Sequence, residues 1–196
     1  IDGNGAIDAA ATEKCSRFYK RTNLQEGTYQ PFYKLSLIDR AVSTATAAVI
    51  RREIIDWDSI PPEVGGSWDI YLNYLCCRSG LGAYYYPAKL TKYREHEQTE
   101  TMQSGRRNFQ AKIRKAKADL FCYEQFMKDE QLAELYPYFE KKWGHISTNL
   151  GIGLMRGENL QEARSRFWDS LKRHFSLRTI AALIISFVPP KIAARF

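Results

Sequence analysis

The sequence predicts two parts: a mixed α/β portion with few strands over about residues 1–100, then an all-α extension of helical hairpins over about 105–196. Three observations carry this. Residues 61–96 pass from a Pro-Pro turn and a Gly-Gly hinge into an amphipathic helix and then a β-prone run. The polar run EQTETMQSG, residues 97–105, reads as a linker. From Arg106 onward, apolar residues recur at helical spacing between turns that contain Gly or Asn.

Residues 1–40 are polar and weakly patterned. A Gly/Asn turn leads to a short helix over 9–19, residues 21–31 read as loop, and 32–39 fits either a short helix or a strand. Residues 41–55, AVSTATAAVIRREII, are small and apolar, then abruptly basic. Residues 47–50 predict a buried strand, and Arg51-Arg52-Glu53 the start of a helical turn. Trp68, Tyr71, Leu72 and Leu75 set a helix over 68–78, which Ser79-Gly80 ends. Residues 83–86, closed by Pro87, predict a strand on which Tyr85 faces away from Tyr84 and Tyr86.

In the extension, 109–128 reads as a basic amphipathic helix with Phe109, Ile113, Leu120 and Phe121 among its apolar positions. A second helix, 129–143, is rich in aromatics and interrupted by Pro137. A third, 146–156, stops at Gly157. Asn159 caps a fourth over 159–174, whose stripe is Leu160, Ala163, Phe167, Trp168 and Leu171. Ser176 caps a fifth that runs to 188, before Pro189-Pro190. No strict period marks a regular repeat array.

Composition narrows the function classes. A hydrophobic share of 44% and a charged share of 26% belong to an ordinary globular protein. The net charge of +7 points to an anionic partner: phosphate, a membrane surface or nucleic acid. The cysteines are Cys15, the adjacent pair Cys76-Cys77, and Cys122. Neighbours on a helix point to different faces and no C-x-x-C occurs, so neither a zinc site nor a disulfide framework is expected. A reduced, cytoplasmic compartment is. No apolar run reaches the ~18 residues of a membrane span. Residues 1–11 lack the basic start and apolar centre of a signal peptide. Ile1-Asp2-Gly3-Asn4-Gly5 reads as a loop in mid-flow, the expectation for a fragment of a longer chain.

The segments AAVIRRE (47–53), PPEVGGSWDIYL (61–72), YYYPAKL (84–90) and YREH (93–96), in that order, resemble the acceptor-side half of a family 2 glycosyltransferase. The likeness covers about residues 40–96. It implies an inverting enzyme with a nucleotide-sugar-binding α/β fold and helical extensions. Such an enzyme moves a sugar from a nucleotide donor, with a divalent metal (Mg or Mn), to a hydroxyl acceptor in cell-surface polysaccharide or lipid-linked glycan synthesis. Two features depart from the family pattern. The nucleotide-binding half with its metal-binding D-x-D is not in this chain, and Asp56-Trp57-Asp58 lies downstream of where that motif belongs and reads as a turn. Gly66-Ser67 also stands where an acidic residue is usual before Trp68. This chain alone is therefore expected to be inactive.

Inverting transfer needs a carboxylate to take the acceptor's proton, and cations to stabilise the departing diphosphate. Asp69 is the carboxylate at the helix opening and the candidate base; its plainer role is as a partner of the helix dipole. The resemblance puts Arg94 and His96 near the diphosphate and metal, Arg94 as phosphate clamp and His96 as phosphate or metal ligand. The plainer alternative is a solvated loop among Glu95, Glu97 and Glu100. Trp68 and Tyr93 could stack on a sugar face, or be core aromatics. His145 and His174 carry no mark of ligands. The basic run RRNFQAKIRKAK, 106–117, fits a solvated face, anionic lipid or nucleic acid, though no nucleic-acid module accompanies it. Residues 177–196 fit either the close of the helical core or a peripheral contact with the inner face of a membrane. The rival readings of the whole are a non-catalytic helical interaction module and a basic nucleic-acid-binding protein.

Overall fold

The computed structural model describes residues 1, 5–41, 47–92 and 108–189. The chain falls into two compact units. One joins Ile1–Pro61 to Trp68–Glu97, and the other joins Pro62–Ser67 to Gln98–Phe196.

In the first unit, helix α1 is Ala9–Phe18, started by Asp8, whose Oδ1 accepts the Ala11 N–H at 2.8 Å. A π-helical turn, Lys34–Ile38, packs on α2, Trp68–Arg78. The core is Phe32, Ile55, Leu72, Cys76 and Cys77, with Tyr29, Leu35, Ile54 and Ala83 packed around it. The predicted span of α2 holds. The strand after it, β2 (Ala83–Tyr85), pairs antiparallel with β1 (Gly27–Tyr29), Gly27 opposite Tyr85 and Tyr29 opposite Ala83. Residues 27–29 are thus a strand where the sequence suggests loop. A three-residue strand carries little pattern of its own, and its partner lies more than fifty residues away. Gly82 lets the two strands approach, since a Cβ there would lie 2.9 Å from Thr28 Cγ2. Residues 47–50 form no strand: Val49 is fully exposed, and a turn of 3-10 helix follows at Arg52–Ile54. Small apolar side chains lack the buried area that would fix a strand there. The sheet of the described residues is therefore this one antiparallel pair.

The second unit is helical: α3 Phe109–Phe126, α4 Tyr136–Arg156, α5 Leu160–Arg173 and α6 Leu177–Ile185. Each helix packs on the next. The two helices expected over 129–143 and 146–156 are instead a 3-10 segment, Glu130–Leu135, and one continuous helix. Pro137 sits in the first turn of α4, where its missing N–H costs nothing, so it starts the helix rather than interrupting it. Asn159 caps α5 as expected. Ser176 occupies the cap position of α6, but its side chain makes no capping hydrogen bond. Tyr123, Phe126 and Phe139 form a ring cluster with centroids 5.5–5.8 Å apart. A hydroxyl knot ties α4, α5 and α6. Thr148 Oγ1 lies 2.9 Å from Ser170 Oγ and 2.7 Å from Thr179 Oγ1, and Ser170 donates to the Gly144 carbonyl at 2.7 Å.

Candidate functional site

The local backbone is built by Pro and Gly. Pro61 is extended, Pro62 opens a 3-10 turn, and Gly65 breaks it at φ 45°, ψ −129°, a region that favours glycine. Ser67 is buried, and its Oγ donates to Asp119 Oδ1 at 2.5 Å. Trp68 then turns into the helix with φ −58°.

At the start of α2 the Trp68 ring is 50% exposed. It is not the core aromatic that its place in the apolar stripe suggests. Asp69 is half-buried beside it. Asp69 Oδ1 accepts the Ile70 N–H at 2.8 Å, and its carbonyl accepts from Asn73 Nδ2 at 2.8 Å. Among the described residues, Oδ2 meets no hydrogen-bond donor. The start of α2 thus sets a half-buried carboxylate next in sequence to a half-exposed indole.

Tyr93, Arg94 and His96 lie outside the described residues. Asp56-Trp57-Asp58 enters a 3-10 turn, Trp57–Ser59, as expected. The Asp56 carbonyl accepts from Ser59 Oγ at 3.0 Å, and Trp57 Nε1 donates to the Arg52 carbonyl at 2.9 Å. Among the described residues no three His, Cys, Asp or Glu side chains converge.

The helical unit carries a cleft of about 410 Å³, lined by Glu63, Gly65 and Gly66 on one side and by Arg114, Lys115, Lys117, Ala118 and Phe121 of α3 on the other. Arg114, Lys115 and Lys117 of the basic run are exposed, and they line this cleft with Glu63; Lys115 lies 3.6 Å from Asp119 Oδ1. Helical spacing places the cations together, but only the fold brings Glu63 to them.

Two further groupings are invisible in the sequence. His145 of α4 and His174, just after α5, meet edge-on with ring centroids 5.1 Å apart. Burial, then His174 and the cations Lys142, Lys141 and Arg178, hold the His145 imidazolium below its usual value. The other grouping is of cations. Burial, then Arg156 and Arg178, lower the Lys112 ammonium. Arg178 also donates to Asn149 Oδ1 at 2.8 Å.

Of the four cysteines, only Cys15 is exposed, and none is in a disulfide. Burial pushes the Cys77 thiol up to about 12, against a lowering by the Ser36 hydroxyl. That suits a core thiol, not a nucleophile. No family model matches the chain, and neither a curated protein nor a solved structure matches it.

Proposed function

We propose that this chain is the acceptor-side part of an inverting, family 2-like glycosyltransferase that moves a sugar from a nucleotide donor to a hydroxyl of a glycan or lipid-linked acceptor. The observation that supports it is the half-exposed Trp68 ring next in sequence to the half-buried Asp69 carboxylate at a helix start. An indole face of this kind stacks on the apolar face of a sugar. Asp69 Oδ2 accepts the proton of the acceptor hydroxyl as that oxygen attacks the anomeric carbon, while the Ile70 N–H on Oδ1 fixes the carboxylate's orientation. Positive groups must then balance the departing diphosphate. Arg94 and His96 are the candidates for that role. A divalent metal, if bound, supplies further charge stabilisation.

A second reading is favoured by one contact: the short bond from Ile70 N–H to Asp69 is what a helix-starting carboxylate makes with no catalytic duty. On that reading the chain is a non-catalytic helical interaction module.

The test is transfer from a panel of nucleotide sugars, read as nucleoside diphosphate release, by the purified chain and by the product of the whole reading frame that encodes it. The chain alone is expected to be silent and the whole product active. In the whole product, Asp69→Asn is expected to lower kcat by about 10²-fold or more, the loss of a general base, with the circular dichroism unchanged. Trp68→Ala is expected to raise KM. Full activity in Asp69→Asn removes Asp69 from the role and moves it to Glu63 or to a residue of the nucleotide-binding half. No transfer by the whole product with any donor favours the interaction module.

A further inference from the structure

Helix α6 is apolar on both sides, and its two sides are distributed unusually. The residues that face the core are small or polar: Thr179, Ala182 and Ser186 are buried there along with Leu183. Two of the larger apolar side chains, Leu177 and Ile184, point outward. Leu177 is 76% exposed and Ile184 64%, and with the exposed Ala181 they recur at helical spacing along one face. Phe175, 68% exposed, and Phe187, 64% exposed, flank that face at its two ends. Leu183 is buried and Ile180 half-buried, so part of this segment closes the helical core. The inner face is tied down by the hydroxyl knot through Thr179. Rotating the helix to bury Leu177 and Ile184 would break that bond and expose Thr179.

From Leu171 to Pro189 the chain carries Lys172, Arg173 and Arg178 and no carboxylate; just before it, Asp169 lies 3.9 Å from Lys172. At the first turn of α6, Arg178 is exposed and donates to Asn149 Oδ1 at 2.8 Å; after burial, the charges of Arg156 and Arg178 lower the Lys112 ammonium of α3. At the other end, the Arg164 guanidinium lies 4.5 Å from the Phe187 ring centroid and donates to the Ser186 carbonyl at 2.6 Å, which holds a cation beside the exposed ring. No helix of the described residues is long and apolar enough to cross a membrane. An outward apolar strip of two to three turns with cations at both ends has the chemistry of a helix lying in a headgroup layer.

We propose that the outward face of α6, with Phe175 and Phe187 and the cations Lys112, Arg156, Arg164 and Arg178, docks the helical unit on an anionic membrane surface. Leu177 and Ile184 enter the acyl boundary, and the cations meet lipid phosphates. A protein partner could also cover an apolar face. The absence of any carboxylate over 171–189 and the clustered cations favour anionic lipid.

The test is co-sedimentation of the full chain with vesicles of phosphatidylcholine alone and of phosphatidylcholine with phosphatidylglycerol, at low and high salt. Binding is expected to the mixed vesicles only and to weaken with salt. Leu177→Glu with Ile184→Glu, both at exposed positions, is expected to cut partitioning by about tenfold or more with an unchanged melting temperature. Arg178→Ala is expected to cut it by about fivefold, the share of one cation near an anionic surface. A wild-type chain that stays in the supernatant with mixed vesicles at low salt overturns the proposal, as does equal binding by the double variant. Self-association abolished by the double variant, without vesicle binding, assigns the face to a second copy of the chain and overturns it too.

Discussion

His145 shows how a residue with no sequence signal acquires a physical role. Its ring meets His174, and cations from α4 and α6 surround it, so protonation is disfavoured in the folded state relative to the unfolded one. A histidine lowered in this way binds its proton more readily when unfolded. Stability is therefore full above the ordinary histidine value of about 6.5 and falls as pH drops through that value toward the lowered one. The melting temperature is expected to fall between pH 7.5 and pH 5.5, and His145→Gln is expected to lose part of that fall. An identical pH profile in wild type and variant would show that His145 carries none of it. Asp69 and Trp68 were legible as candidates because a helix start can be read from Pro, Gly and apolar spacing. The pairing of His145 with His174 was not, since they lie on different elements nearly thirty residues apart.

At the scale of elements, the sequence was most readable where a helix had both an apolar stripe and a stop signal. Helix α2 lies where Trp68 and Ser79-Gly80 place it, and Asn159 starts α5. It was least readable where a breaker residue was tolerated. Gly144, Gly151 and Gly153 all lie within α4, and Gly144 suggests a break between two helices. The fold uses these glycines for close packing instead. A Cβ on Gly151 would lie 2.4 Å from Phe167 Cε1, and Phe167 is wholly buried on α5. Gly151→Ala gains at most about 1 kcal/mol in helix propensity but overpacks a rigid core. It is expected to destabilise the chain by about 1–3 kcal/mol in urea unfolding. A more stable variant would show that α4 and α5 can separate at little cost. The β1–β2 pair was half legible: the alternation at 83–86 marks β2, whereas β1 depends on a partner the local pattern cannot name.

At the scale of the whole molecule, the polar run after His96 suggests a single division of the chain, whereas the two compact units interleave in sequence. What the sequence could not show is the membership of Pro62–Ser67. This segment belongs with the helices, although both its neighbours in sequence belong to the other unit. Val64 is 2% exposed and Ser67 1% exposed, and the segment packs on α3. Val64→Ala is expected to lower stability by about 1–3 kcal/mol, through lost burial and the cavity left behind. The loss should appear as faster amide exchange in α3, more than forty residues away in sequence. Exchange that quickens only around α2 would contradict this.

The threading of Pro62–Ser67 also bears on how such a chain can be inherited. A genetic exchange that passes on only the residues after the polar run would deliver α3 without the segment that covers it, and would leave Val64 behind without a surface to sit on. The helical unit is therefore not encoded by one continuous stretch of sequence, and a cut at the polar run would divide it.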